Sequence, residues 1–264
     1  MPSHLASSEL GYEVVDRVAI VTLNAPERRN AFTVGLIAEI VAAFDDLESR
    51  SDVGAVVVTG APPAFCAGAL LGDLAAPDAT AEDRRRRLGG IYEGFLRVAR
   101  CPLPTVAAVN GPAVGAGMNL ALAADVRIAG ASARFDSRFL KIGLHPGGGF
   151  TWMARRAMGP QATAAAALFS EVLSASEAER CGLVWQVTGD DELLDVACRY
   201  AAQAASADPA LVRRIKASLL LTGQVATLSE AVDIEAEAQV WSMDQPAFRD
   251  GPVPRQGTAP ARGR

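Results

Sequence analysis

The chain has 264 residues, 50% of them hydrophobic and 21% charged, with a formal net charge of −5. That length and apolar content suit one large domain, or a core domain with a helical appendage, and the mild acidity argues against nucleic acid as the main partner. No apolar run approaches the roughly 18 residues that span a bilayer, and the opening MPSHLASSELGYE holds no signal-peptide core.

Taken in order, residues 12–16 and 18–23 read as two strands joined by a tight turn at Asp16 and Arg17. A polar loop, NAPERR, precedes a helix capped by Thr33 and running to about Glu48, with apolar residues at Leu36, Ile37, Ile40, Val41 and Phe44. Residues 55–59 form a near-continuous apolar strand, which suggests a sheet covered on both faces. The loop GAPPAFCAGALLGDL follows, then a charged and later amphipathic helix over 80–100. Strands are predicted at 105–109 and 126–129, with a helix between them beginning at about Met118. Residues 132–149 read as irregular, and helical patterns follow at 151–158 and 161–169. A short helix from Ser176 and a strand over 183–187 precede three helices at 190–206, 208–222 and 227–243. The tail from Asp250 is rich in Pro, Gly and Arg and is expected to be disordered. The organisation predicted is an α/β core over 1–190, a helical region over 191–249 and a tail over 250–264, with no fixed period that supports a solenoid.

The most informative stretch is PTVAAVNGPAVGAGMNLALAA, residues 104–124. A strand that feeds a small-residue turn and then a helix leaves free backbone N–H groups at a helix N-terminus. Such groups suit negative charge, whether on a bound anion or developing during a reaction. A dinucleotide turn is a poorer fit to VGAGMNLA, because the third small residue is missing and Gly115 comes only at the sixth position after the strand. There is no GxxxxGK[ST] and no GxSxG. Two histidines are too few for a His-rich zinc site, so no metal is expected. The four cysteines, Cys66, Cys101, Cys181 and Cys198, show no CxxC spacing and read as free thiols in a reducing cytoplasm.

The runs VAIVTLNAPERRNAF, AFCAGALLGDL, AVNGPAVGAGMNLALAADVRIA and GLHPGGG, in that order over roughly residues 10–250, resemble the enoyl-CoA hydratase/isomerase, or crotonase, superfamily. The resemblance implies a spiral of repeated ββα units and a helical C-terminal region that drives trimer formation, with trimers often pairing into hexamers. It implies an acyl-CoA thioester as ligand, with coenzyme A entering as part of the substrate and no separate cofactor. By position in the motifs, the amides of Ala69 and Ala116 stabilise charge on the thioester oxygen. Ala31, Cys66, Gly68, Leu70, Gly115, Pro146 and Gly147 fall among the substrate-binding positions, and Arg28 and Arg29 fall where relatives clasp the adenosine end.

The departures from that pattern are specific. Where typical hydratases carry two glutamates that hold water and move its protons, this chain has Asn119 and Phe139, and where other members carry an aspartate it has Gly147. An amide orients a water or a carbonyl but has no usable proton equilibrium near neutrality, and a phenyl ring does neither. Phe139 most simply lines an apolar acyl pocket. His145 is a titratable candidate in GLHPGGG, or a loop histidine bonded to backbone. Asp136 is a pocket carboxylate or an ion-pair partner of Arg134 and Arg138, and Glu93 is a base or part of a solvated helix face. The four arginines 84–87 read as a solvated helix face, and Pro252 and Pro254 argue against a final helix that reaches coenzyme A. Two functions follow: an enzyme acting on an acyl-CoA with weak or absent hydration, or a non-catalytic acyl-CoA-binding scaffold.

Overall fold

The computed structural model describes residues 8–70, 72 and 79–249. The disorder expected of the tail from Asp250 falls outside them. Strands β1 (Leu10–Val15) and β2 (Val18–Leu23) form an antiparallel hairpin whose turn residues, Asp16 and Arg17, both have positive φ, the conformation a two-residue turn between twisted strands requires. Strand β3 (Ala55–Gly60) pairs parallel with β2, β4 (Thr105–Val109) with β3, and β6 (Val126–Gly130) with β4. Strand β9 (Gln186–Thr188) closes this six-stranded sheet.

Alternating residues of β3 feed two cores, which is why the whole strand is buried. Val56 and Val58 face one core, with Leu36, Ile40, Phe44 and Leu47 of helix α1 (Val34–Ser49). Ala55 and Val57 face the other, with Leu193, Ala197, Ala201 and Ala205 of helix α6 (Leu193–Ala205). Those four lie four residues apart, so they make one stripe. Thr33 caps α1 by accepting from the Leu36 N–H at 2.9 Å. Helix α2 (Ala81–Ala99) opens on a Thr80–Asp83 capping box and packs on α1. A Cβ at Gly94 would lie 3.2 Å from Ile37 Cγ1 and from Phe32 Cε1, so glycine sets the closeness of that packing.

Helix α3 (Ala116–Ala123) starts two residues before the predicted Met118 and buries seven of its eight residues. The segment read as irregular contains strand β7 (Arg134–Asp136), which pairs parallel with β5 (Pro112–Val114) and antiparallel with β8 (Val172–Ser174). These strands have three residues each, too few to display a period of two. The two helices expected over 151–169 are both present as the halves of α4 (Phe150–Leu168), separated by non-helical backbone at Gly159, φ 74°, before Pro160. Ser174 caps α5 (Ala175–Arg180).

The chain divides into two compact units, one ending at Ala207 and the other beginning at Asp208. The division falls after α6, which covers the sheet. The second unit holds α7 (Pro209–Thr222), α8 (Leu228–Met243) and α9 (Pro246–Arg249), with the Arg214 guanidinium 4.7 Å from the Trp241 ring centre between α7 and α8.

Candidate active site

Two segments distant in sequence are laced together by backbone. The Cys66 N–H donates to the Pro112 carbonyl at 3.2 Å, and the Val114 N–H donates to the Cys66 carbonyl at 2.9 Å. The Phe32 N–H donates to Gly68 O at 2.8 Å and the Ala67 N–H to Arg29 O at 2.9 Å. Buried Asn30 secures the loop before them: its Nδ2 donates to Ala61 O and Ala64 O, both at 2.8 Å, and its Oδ1 accepts from the Ala25 N–H. Gly117 seats α3 against this lacing, since a Cβ there would lie 2.0 Å from the Cys66 carbonyl oxygen. Gly68 has φ +87°, and a Cβ on it would lie 2.4 Å from Val114 O and 3.1 Å from the Ala116 nitrogen. The peptide that carries the Ala69 N–H therefore starts beside the first amide of α3. Gly115 turns the chain into α3 with φ 54° and ψ −116°, while its N–H donates to Asp136 O at 2.8 Å. Among the described residues, neither the Ala69 nor the Ala116 N–H has an acceptor. For Ala116 the reason is general: the first amides of a helix have no partner within it, and the helix dipole adds positive potential there.

These amides border a cavity of about 460 Å³. Of the residues singled out from the sequence, Arg28, Ala31, Gly68, Ala69, Leu70, Gly115, Ala116, Asn119, Phe139, His145 and Gly147 line it. Arg29, Cys66 and Pro146 do not. Arg29 holds a left-handed conformation after a 3-10 turn, with its side chain exposed and its carbonyl bound to Ala67. Cys66 is fully buried behind the wall, and its thiol donates to Asn30 O at 3.1 Å. Burial pushes that thiol up to about 12, which makes it a packing group and not a nucleophile. Leu88, Ile91, Tyr92 and Phe95 of α2 also line the cavity, as do Ser137 and Arg138. The amphipathic pattern of α2 was the signal for the first four; Ser137 and Arg138 sat in the segment that showed no pattern.

Among the described lining residues there is no carboxylate. Asp136 is buried and turned toward Arg138, whose Nε and Nη2 lie 2.9 and 2.6 Å from its Oδ2, with Lys141 Nζ at 3.7 Å. Arg134 is not its partner; that guanidinium donates to the Ala133 carbonyl. Glu93 borders a different cavity, between α1 and α2, and pairs with Arg100 at 3.0 Å. Arg28 is ion-paired to Glu9 and to Glu27, which offsets its charge at the rim. Exposed His145 places Nδ1 2.7 Å from Pro146 O; a carbonyl only accepts, so Nδ1 carries the proton and Nε2 is the acceptor in the neutral ring.

Asn119 is 1% exposed. Its Nδ2 donates to Gly147 O at 2.9 Å, which fixes the amide's orientation, and its Oδ1 has no hydrogen-bond partner among the described residues. An unpaired buried acceptor of this kind costs roughly 1–3 kcal/mol until something donates to it. Phe139 stands edge-on to Phe150 with ring centres 5.5 Å apart, part of an apolar wall.

The family model for enoyl-CoA hydratase/isomerase matches residues 13–254. The protein named "Probable enoyl-CoA hydratase EchA14" of Mycobacterium tuberculosis is 48% identical over 236 residues, 88% of this chain and 91% of that one. The 1,2-epoxyphenylacetyl-CoA isomerase of Escherichia coli is 34% identical over 89% of this chain and 90% of that protein. The crystal structure of an enoyl-CoA hydratase from Bacillus anthracis superposes with a TM-score of 0.85 at 27% identity, covering 92% of this chain and 96% of that one. With its mixed sheets, its glycine-built amide pair and its helical C-terminal region, the chain belongs to the enoyl-CoA hydratase/isomerase, or crotonase, family.

Proposed function

We propose that this protein binds an acyl-CoA with the thioester oxygen on the Ala69 and Ala116 amides, and stabilises an enolate there without efficient water addition. The observation that carries the reading is the pairing of two backbone donors that have no acceptor among the described residues with a cavity whose described lining has no carboxylate. Charge that develops on a thioester oxygen is stabilised by such donors, each worth roughly 100- to 1000-fold in rate. Adding water to an enoyl group needs a base for the water and an acid for the carbon, each worth roughly 100- to 10,000-fold. Asn119 and Phe139, which replace the two glutamates of typical hydratases, supply neither. Decarboxylation or isomerisation suits the site better, since both depend on the enolate more than on activated water. Coenzyme A enters as part of the substrate, and the assembly proposed is a homotrimer or a dimer of trimers.

The same missing carboxylates support a second reading, a scaffold that holds acyl-CoA without turnover. Steady-state assay with crotonyl-CoA tests the proposal. The expected turnover lies far below roughly 10 per second, an ordinary enzyme value. Turnover at that level would overturn it, and binding without turnover of enoyl, 3-hydroxyacyl and malonyl-type thioesters would select the scaffold.

A further inference from the structure

Gly147 and Tyr92 fit each other. A Cβ built on Gly147 would lie 2.4 Å from the Tyr92 hydroxyl oxygen, so the phenol occupies the room where a side chain at 147 would project. Tyr92 lines the cavity, with its ring held against Phe95 at 5.7 Å between centres. Among the described residues its hydroxyl has no hydrogen-bond partner. It is linked to α3 through Gly147: Asn119, one turn along α3 from Ala116, donates to the carbonyl of the same glycine. Of the other protic side chains that line the cavity, exposed His145 commits Nδ1 to Pro146 O and leaves Nε2 as an acceptor, while Ser137 and Arg138 are committed. The Ser137 hydroxyl donates to Ala166 O at 2.7 Å, and the Arg138 guanidinium is paired with Asp136. Asn119 has no proton to exchange near neutrality.

We propose that the Tyr92 hydroxyl is the group that moves a proton at the acyl α-carbon in this cavity, from the place a side chain at 147 would otherwise take. The inference rests on the acyl-CoA reading above. In this step the Tyr92 oxygen, as phenolate, takes an α-proton from the acyl group. The C–H electron pair moves into the thioester, and the resulting enolate oxygen rests on the Ala69 and Ala116 amides. The enolate carbon then recovers a proton from the Tyr92 oxygen and the carbonyl re-forms, so no other reactant is consumed.

Exchange of the α-hydrogens of butyryl-CoA in deuterated water, read by mass spectrometry, tests this, with butyryl-CoA binding measured separately by calorimetry. Wild type is expected to exchange, and Tyr92→Phe to lose at least about 100-fold in exchange rate while binding is retained. Gly147→Ala keeps the phenol but displaces its hydroxyl, at a position without a left-handed backbone. It is expected to lose at least about 10-fold. Exchange in Tyr92→Phe at the wild-type rate would overturn the proposal, as would wild-type protein that binds butyryl-CoA without exchanging it. Failure of wild type to bind butyryl-CoA would instead remove the acyl-CoA reading, and this one with it.

Discussion

On one side of the cavity the Ala69 and Ala116 amides are held by main chain and glycines, whereas on the other Tyr92, Asn119, Phe139 and Gly147 meet through side chains and the room they leave. The first side tolerates no Cβ at Gly117 or Gly68, yet is indifferent to side-chain chemistry, because an alanine N–H donates as well as any other. The second side carries an amide, a phenyl ring and a phenol, and no carboxylate among the described lining residues. On the proposed reading, binding the thioester falls to the backbone side and choosing the reaction to the side-chain side.

Breaking the frame should have the largest effect. Gly117→Ala places a methyl 2.0 Å from the Cys66 carbonyl, where only backbone can move. We expect a loss of at least about 2 kcal/mol, read as a melting temperature lower by about 4–8 °C in calorimetry. An unchanged melting temperature would show that α3 does not need this close approach.

A pH experiment probes the same frame from within. The Cys66 thiol is held up at about 12 by burial, against an ordinary 9.0 in the unfolded chain. Between those values the folded protein keeps a proton that the unfolded chain releases. Stability from this group is therefore complete below about pH 9 and falls as pH rises toward 12, by up to about 1.4 kcal/mol per pH unit. Urea midpoints at about pH 8 and 10.5 should fall more steeply for wild type than for Cys66→Ala. Parallel slopes in the two proteins would contradict the burial.

The facing wall should yield least. Asn119→Leu removes an acceptor that has no partner and one hydrogen bond to Gly147 O, so the two effects oppose each other. Stability by denaturant titration should change by no more than about 1 kcal/mol. A larger loss would mean that Asn119 belongs with the frame.

The hairpin, α1, α2 and the buried strands were legible in the sequence because each carries a local signature: a turn at Asp16 and Arg17, caps at Thr33 and Thr80, an apolar run at 55–59. The small-residue turn at Gly115–Gly117 was legible as an amide site for the same reason. The second sheet was not, since β5, β7 and β8 gain their pairing only when 112–114, 134–136 and 172–174 meet. Arg29 and Arg28 are adjacent and alike in sequence, yet only Arg28 reaches the cavity, because Arg29 is itself the left-handed residue that ends the 3-10 turn.

By itself the sequence determined the covered sheet, the family, and the absence of glutamate at positions 119 and 139, all of which are written in local spacing and residue type. Only the tertiary structure decided that Asp136 turns to Arg138, that Glu93 borders another cavity, and that the Tyr92 hydroxyl fills the space above Gly147. The reason is that a side chain's direction depends on the element packed against it, and those neighbours come from elsewhere in the chain.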